Sequence, residues 1–197
     1  MRKVISFMHV SLDGFVTGPR NEMNWIIMDD EIFRDASDLN ETDMALYGRV
    51  TYQMMESYWP TVLANAASTE LELQHAQWVE KVNKIVFSTT LEKAEWNNAR
   101  LIRKNIVEKV NKLKQGPGKN MMIFGSPTLT HSFMHWNLID EYKLNINPVI
   151  LGTGTPLFEN INQRINLNLL SEKKYKSGVI GLRYETKFKN AAFSKIN

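Results

Sequence analysis

The sequence contains no cysteine. This absence excludes a disulfide-stapled scaffold, zinc or iron–sulfur sites built on thiolates, and a cysteine nucleophile. No apolar run approaches the roughly 20 residues that a membrane-spanning helix needs. Arg2 and Lys3 are followed only by the short apolar segment 4–7, which is too short for the apolar region of a signal peptide. These absences predict a soluble cytoplasmic protein that does not bind a membrane.

Two common nucleotide-binding signatures are also missing. Neither the G-x-G-x-x-G pattern of a Rossmann dehydrogenase nor the Walker A loop of a P-loop ATPase occurs, so both classes are disfavoured. Aromatic and basic residues do not alternate as they do in single-strand binding platforms, which argues against nucleic acid as a partner. Acidic side chains predominate in residues 1–99 and basic ones in residues 100–197. The basic half is compatible with an anionic ligand, such as a phosphorylated cofactor, or with lysines on solvated faces.

Short apolar segments typical of buried strands alternate with segments of helical periodicity. The predicted strands are 4–10, 44–47, 84–87 and 121–124. One helix is predicted to begin at Asp29, and four more are predicted over 48–58, 69–82, 105–115 and 126–136. Strands 142–151, 166–175 and 179–188 follow, the last two joined by a hairpin turn at Ser177-Gly178. This order predicts one α/β domain, residues 1–197, with a mostly parallel central sheet flanked by helices and an antiparallel C-terminal hairpin.

Glycine and hydroxyl residues follow three of the predicted strands, at the point where each strand ends. They form the segments 48–51 (Gly-Arg-Val-Thr), 88–90 (Ser-Thr-Thr) and 125–128 (Gly-Ser-Pro-Thr). In an open parallel sheet, ligands bind at the carboxyl ends of the strands, and glycine there lets backbone N–H groups approach a phosphate. Ser126 also suits a helix N-cap, and Pro127 the first helical position. Each segment alone is compatible with a structural turn, but the three together predict a bound nucleotide.

Taken in order, several segments resemble the dihydrofolate reductase superfamily. They are Ser-Leu-Asp-Gly at 11–14, Trp25, Gly-Arg-x-Thr at 48–51, the hydroxyl cluster at 88–90 and Gly-Ser at 125–126. The sequence is more similar to the reductase domain of riboflavin biosynthesis and its small stand-alone relatives, which the segments 138–142 and 147–158 also resemble. The resemblance extends over residues 2–188 and implies a dihydrofolate-reductase-like fold.

The resemblance implies NADPH as the cofactor, bound across the carboxyl ends of the strands. Gly48, Arg49 and Thr51 would hold the phosphates, with Arg49 near the ribose 2′-phosphate, because a guanidinium matches phosphate oxygens well. Ser88 and Thr89 would meet the adenosine ribose or its phosphate, and Gly125, Ser126, Thr128 and Leu129 would surround the pyrophosphate. Val10, Asp13, Gly14 and Thr17 would belong to a flexible loop that covers the nicotinamide. A plain turn is the alternative for Asp13-Gly14.

The resemblance also implies one carboxylate on the first helix, a few residues beyond a tryptophan. Counting from Trp25 leads to Asp30, which we therefore predict as the catalytic residue that binds the substrate and serves proton transfer. The alternative is that the acidic residues at 29–31 only cap the helix. Trp25 and Phe33 would line the substrate pocket or belong to the core. The segment before Asp30 lacks the proline-containing turn of dihydrofolate reductases, which argues against dihydrofolate as the natural substrate.

The function that the resemblance implies is an NADPH-dependent reductase that transfers a hydride to a pyrimidine or pterin-type substrate. The example we expect is the 5-amino-6-(5-phosphoribosylamino)uracil of riboflavin biosynthesis. Dihydrofolate reduction, and a nucleotide-binding module without turnover, are the alternatives. The resemblance also implies a homodimer. No metal site is expected, because His131 and His135 lie four residues apart but lack a third ligand nearby.

Overall fold

A computed structural model describes residues 1–37, 41–161 and 164–187 of the chain. The strands are β1 (Val4–Ser11), β2 (Phe15–Thr17), β3 (Thr42–Gly48), β4 (Asn83–Phe87), β5 (Ala99–Ile102), β6 (Asn120–Phe124), β7 (Glu141–Asn147), β8 (Thr155–Pro156), β9 (Leu167–Lys174) and β10 (Ile180–Thr186). The helices are α1 (Asp30–Ser37), α2 (Arg49–Ala64), α3 (Glu70–Lys81), α4 (Ile106–Gln115) and α5 (Pro127–His135). Within the described ranges, no helix is both long and apolar enough to cross a membrane.

Eight strands form one sheet in the order β5-β4-β3-β6-β1-β7-β10-β9. The first six strands in this order are parallel, whereas β10 runs antiparallel to both β7 and β9. The short strands β2 and β8 pair with each other outside this sheet. The arrangement confirms the predicted fold class, a mostly parallel central sheet flanked by helices with an antiparallel C-terminal hairpin. The carboxyl ends of β1, β3, β4 and β6 consequently lie at one edge of the sheet.

Helices cover both faces of the sheet, because side chains along each strand point alternately to the two faces. On one face, Met8 of β1 belongs to the same apolar cluster as Phe133 of α5. On the other face, Phe7 of β1 belongs to a cluster with Trp59 of α2 and Val79 of α3. Strand β1 therefore lies at the centre of the core and ends at the edge described above.

The first helix packs against the C-terminal hairpin. Ile32 is buried with Tyr175 and Val179 in a small separate cluster. The carboxylate of Asp29 accepts a hydrogen bond from the N–H of Ile32 at 2.9 Å and so caps the helix. The predicted helix also included Leu39, which lies outside the described residues.

Three features of the fold differ from the sequence prediction. The strand predicted over 142–151 ends at Asn147, because Pro148 has no N–H to donate to a neighbouring strand. Helix α2 continues past Tyr58 and through Pro60 to Ala64, which buries Val62 against the sheet. Strands β2, β5 and β8 were not predicted, because none is longer than four residues and such short segments carry no readable periodicity.

Candidate active site at the carboxyl edge of the sheet

A cavity of about 930 Å³ lies at the carboxyl edge of the parallel strands. All three predicted strand-end segments contribute to its lining, together with Arg103. We call this part the strand-end half; its residues are Gly48, Arg49, Val50, Thr51, Ser88, Thr89, Arg103, Gly125, Ser126, Pro127, Thr128 and Leu129. The segments are distant in sequence but adjacent in space, because β4, β3 and β6 are consecutive in the sheet. Because the three segments lie side by side, one ligand can contact all of them.

The ends of β3 and β6 are joined directly at this cavity. The N–H of Gly48 donates to the hydroxyl oxygen of Ser126 at 2.8 Å. Gly125 and Ser126 both adopt left-handed backbone conformations, with φ of +59° and +61°. Glycine adopts this conformation readily, whereas serine is strained in it. Ser126 makes no side-chain cap bond to α5, so the first N–H groups of that helix are left available to an anion.

Two arginine side chains give the strand-end half positive charge. Arg49 is the first residue of α2, and its Nη1 donates to the Oε1 of Gln53 at 3.1 Å. Arg103 follows β5, and its Nη2 donates to the carbonyl oxygen of Glu92 at 2.6 Å. Sequence reasoning missed Arg103, because β5, which positions it, was not predicted. Guanidinium groups pair with phosphate oxygens, so both arginines can hold phosphate groups at this end of the cavity.

The other part of the cavity is apolar and aromatic. We call it the aromatic half; its residues are Phe7, His9, Met28, Phe33, Met54, Met55, Trp59 and His75. The ring centroid of His75 lies 4.5 Å from that of Trp59 and 5.1 Å from that of Phe33. Burial lowers the pKa of His75 to about 4, so its imidazole is neutral near pH 7. Aromatic walls of this kind accommodate a planar ring by stacked or edge-on contacts.

The sequence predicted little of the aromatic half. Of the two residues predicted for the substrate pocket, Phe33 lines this cavity. Trp25 is not among the described lining residues, and its indole Nε1 donates to the carbonyl oxygen of Glu22 at 3.2 Å. Two of the residues that were not predicted could have been found from the sequence: Met55 and Trp59 lie four residues apart in α2 and so share one helix face. His9 gives no such signal, because it is a single histidine in a mostly apolar strand.

The predicted catalytic carboxylate does not reach the cavity. Asp30 occupies the first turn of α1, where it is exposed, and it is not among the cavity-lining residues. None of the described residues that line the cavity is an aspartate or a glutamate. Since the neighbouring Asp29 makes the capping bond, the geometry agrees with the alternative interpretation, in which these acidic residues stabilise the start of the helix.

Only one of the four predicted loop residues lines the cavity, namely Thr17. Val10 is buried in the core at 3% exposure. The carboxylate of Asp13 accepts a hydrogen bond from the N–H of Gly152 at 2.7 Å, which ties the turn after β1 to the segment after β7. Gly14 lies in the same turn with a φ of +91°. Asp13 and Gly14 therefore shape the loop, and Thr17 is the part of it that faces the cavity.

The pairing of β2 with β8 forms one wall of the cavity. The hydroxyl of Thr17 donates to the hydroxyl oxygen of Thr155 at 3.0 Å, and both residues line the cavity. Gly154 approaches this pairing closely, because a Cβ atom built on it would lie 2.0 Å from the carbonyl oxygen of Thr17. Only glycine fits at position 154 with this backbone geometry.

The described part of the chain contains no group of three or more histidine, aspartate or glutamate side chains that could hold a metal ion. Of the histidine pair on α5, His131 places its Nδ1 3.0 Å from the Oε1 of Glu159. Its Nε2 lies 3.1 Å from the carbonyl oxygen of Pro156. His131 thus links α5 to the loop after β8.

The fold and the cavity together define a dihydrofolate-reductase-like α/β protein with a two-part cleft at the carboxyl edge of its sheet. The chain belongs to the family of the RibD C-terminal domain, which it matches over residues 2–180. YyaP, an uncharacterized protein of Bacillus subtilis (strain 168), is 40% identical to it over 184 residues, which cover 93% of this chain and 94% of YyaP. Membership of this family supports an oxidoreductase.

Solved structures of other proteins share the fold, and two of them show its similarity to this chain. A putative riboflavin biosynthesis protein from Shewanella sp. PV-4 superposes with a TM-score of 0.72 at 20% identity, covering 94% of this chain and 99% of that chain. A dihydrofolate reductase from Enterococcus faecalis, complexed with NADP(H), superposes with a TM-score of 0.60 at 11% identity, covering 94% and 97%. These similarities confirm the resemblance that the sequence motifs predicted.

Proposed function

We propose that the chain is an NADPH-dependent reductase that acts on a pyrimidine of riboflavin biosynthesis, with 5-amino-6-(5-phosphoribosylamino)uracil as the expected example. The observation that carries this proposal is the division of one cavity into two chemically different halves. The strand-end half is polar and positively charged, and the aromatic half is apolar. A phosphate-bearing dinucleotide and a planar heterocycle are complementary to these halves, and a hydride transfer requires that the two ligands meet.

The strand-end half fits the phosphates of a dinucleotide. Helix α5 begins there without a side-chain cap, and Arg49 and Arg103 supply positive charge. The residues that would hold the cofactor are Gly48, Arg49, Thr51, Ser88, Thr89, Gly125, Ser126, Thr128 and Leu129, with Thr17 of the β2–β8 pairing. We assign Arg49 to the 2′-phosphate and Arg103 to a second phosphate contact. Bound there, NADPH would supply the hydride.

The aromatic half would bind and orient the substrate ring. Phe33 and Trp59 offer apolar ring faces, and their burial of the heterocycle would exclude water from the reacting atoms. We assign no side chain as proton donor, because no described residue that lines the cavity is a carboxylate. We therefore propose no catalytic role for Asp30 and no substrate-binding role for Trp25.

A pyrimidine fits the aromatic half better than a pterin does. The amidine-like edge of a protonated pterin presents paired N–H donors, for which a carboxylate is the strong acceptor. The described lining offers neutral imidazoles and no carboxylate. A neutral uracil-type ring needs no counter-charge, so we propose it in preference to dihydrofolate.

Calorimetry with NADPH, followed by its absorbance in the presence of each substrate, tests this proposal. We expect NADPH to bind with micromolar or tighter affinity, and to be oxidised with 5-amino-6-(5-phosphoribosylamino)uracil but not with dihydrofolate. Absence of NADPH binding at millimolar concentration would contradict the proposal. Binding without oxidation by either substrate would support instead a nucleotide-binding module without turnover. The absence of a carboxylate among the described lining residues favours this module as the second candidate.

A further inference from the structure

The imidazole of His9 lies in the wall of the aromatic half, and its two ring nitrogens make no hydrogen bond to the described residues. Both ring nitrogens are buried, and neither has a hydrogen-bond partner among the residues that the structure describes. The ring of Phe7 stands edge-on to it at a centroid distance of 5.2 Å. Buried polar atoms in native proteins are nearly always hydrogen-bonded, so an unpaired one at a cavity wall indicates a partner that the ligand supplies.

The surroundings of His9 define what kind of partner this is. Burial lowers the pKa of His9 to about 4, so the ring is neutral near pH 7. A neutral imidazole carries one N–H donor and one nitrogen acceptor. Since no carboxylate occurs among the described lining residues, a cationic ligand ring would find no counter-charge here. The complementary partner is a neutral ring that carries an N–H or a carbonyl oxygen.

We propose that His9 is the specificity-determining residue of the aromatic half, and that its imidazole hydrogen-bonds the amide-like edge of a neutral pyrimidine of the uracil class. This inference rests on the proposed function, because it requires the substrate to occupy the aromatic half. A uracil ring presents N–H and C=O groups side by side, so either tautomer of His9 finds a partner. A buried polar group also rejects rings that lack the matching group, because they leave it unpaired.

Methionine side chains allow a ring to reach His9. Five of them line the cavity: Met8, Met23, Met28, Met54 and Met55. Methionine is unbranched and flexible, so it repacks around a ligand at low cost. Met28 and Met54 are also 45% and 40% exposed, which leaves both side chains room to move toward solvent when a ring enters.

Binding of 5,6-diaminouracil, measured by calorimetry, tests the assignment without any need for turnover. His9→Phe keeps a planar ring in apolar surroundings but removes both polar atoms, so we expect the affinity to fall about tenfold. His9→Asn keeps a donor and an acceptor and should retain most of the affinity. His135→Ala is the matched control, because His135 is exposed and does not line the cavity, and it should bind the probe as the unmodified protein does.

A second measurement separates a direct contact from a packing effect. The ring-nitrogen NMR signals of His9 should shift on saturation with 5,6-diaminouracil, while the NADPH dissociation constant of His9→Phe stays unchanged. The inference is overturned if His9→Phe binds the probe normally, if the nitrogen signals do not move at saturation, or if the unmodified protein does not bind the probe. Absence of NADPH binding alongside a positive probe result would instead refute the proposed function alone.

Discussion

The hydroxyl oxygen of Ser126 accepts a hydrogen bond from the backbone N–H of Gly48 at 2.8 Å, which joins the ends of two neighbouring strands. Ser126 stands at the N-cap position of α5, yet its side chain is turned away from that helix. The side chain of Ser126, which was predicted to cap the helix, therefore binds Gly48 instead. The bond fixes β3 relative to β6 at the point where the cavity begins, and it leaves the N-terminus of α5 open toward the cavity.

The first prediction concerns this bond. Ser126→Ala removes the acceptor for the half-buried N–H of Gly48, so we expect the free energy of unfolding to fall by about 1 kcal/mol. NADPH should bind several-fold more weakly, because Gly48 and Gly125 lose their fixed separation. Chemical denaturation and calorimetry measure the two effects. Ser57→Ala is the control, because Ser57 is an exposed serine on α2. Equal values for both variants would show that the bond has no role in holding the cofactor.

The second prediction concerns cofactor choice. Arg49→Ala should weaken NADPH binding by about tenfold or more and leave NADH binding nearly unchanged, because only NADPH carries the 2′-phosphate. Arg100→Ala removes the same charge from an exposed position outside the cavity, so it controls for the general field of the protein. Calorimetry with both dinucleotides gives the ratio of affinities. If NADPH and NADH lose affinity by the same factor, Arg49 does not bind the 2′-phosphate, and Arg103 becomes the candidate for that contact.

The fold could be predicted because its main elements carry strong local signals. Strand β1 is mostly apolar and buried along nearly its whole length, and Thr69 begins α3 with a complete capping box. Strand β5 could not be predicted, since it has four residues and includes the exposed Arg100. It exists because β4 offers it a parallel partner, which is tertiary information. The missed strand explains the missed Arg103, which follows it directly.

The candidate site also has one part that could be predicted from the sequence and one part that could not. The strand-end half could be predicted, because glycine and hydroxyl residues after parallel strands meet at one edge for topological reasons. The aromatic half depends on how α1 and α2 lie over the sheet, which the sequence does not encode locally. Asp30 illustrates the limit of counting along the chain. Its distance from Trp25 suggested a pocket carboxylate, but the helix begins at that residue and turns its side chain to solvent.

The third prediction concerns the wall formed by β2 and β8. Gly154→Ala would force a Cβ atom to within 2.0 Å of the carbonyl oxygen of Thr17, so the pairing of the two strands must open. Gly152→Ala is the matched control, because its φ is also positive, at +74°, but among the described residues beyond its two chain neighbours no heavy atom lies within 4 Å of the added Cβ. We expect Gly152→Ala to cost about 1 kcal/mol for its backbone conformation alone. Gly154→Ala should cost clearly more and should also weaken NADPH binding. Equal thermal stabilities for the two variants would contradict the close approach seen at Thr17.

The fourth prediction concerns pH and two histidines, the half-buried His9, whose ring nitrogens are buried, and the buried His75. Burial lowers the pKa of each from 6.5 to about 4. In the unfolded chain both take up protons as the pH falls below about 6.5, whereas in the folded chain they stay neutral until about pH 4. The unfolded state binds more protons within this window, so stability is full above it and falls as the pH is lowered through it. Each histidine contributes a slope of up to about 1.4 kcal/mol per pH unit.

Urea denaturation between about pH 7 and pH 5, where ordinary carboxylates stay ionised, isolates this effect. His75→Phe keeps an aromatic ring beside Trp59 and Phe33 but cannot take up a proton, so the slope of stability against pH should fall by about half. The slope is the quantity compared, because the replacement also changes packing. His135→Gln removes an exposed histidine and should leave the slope unchanged. If His75→Phe and the unmodified protein lose stability in parallel, the imidazole of His75 takes up its proton at the same pH in the folded and unfolded states, and burial in the aromatic half then does not lower its pKa.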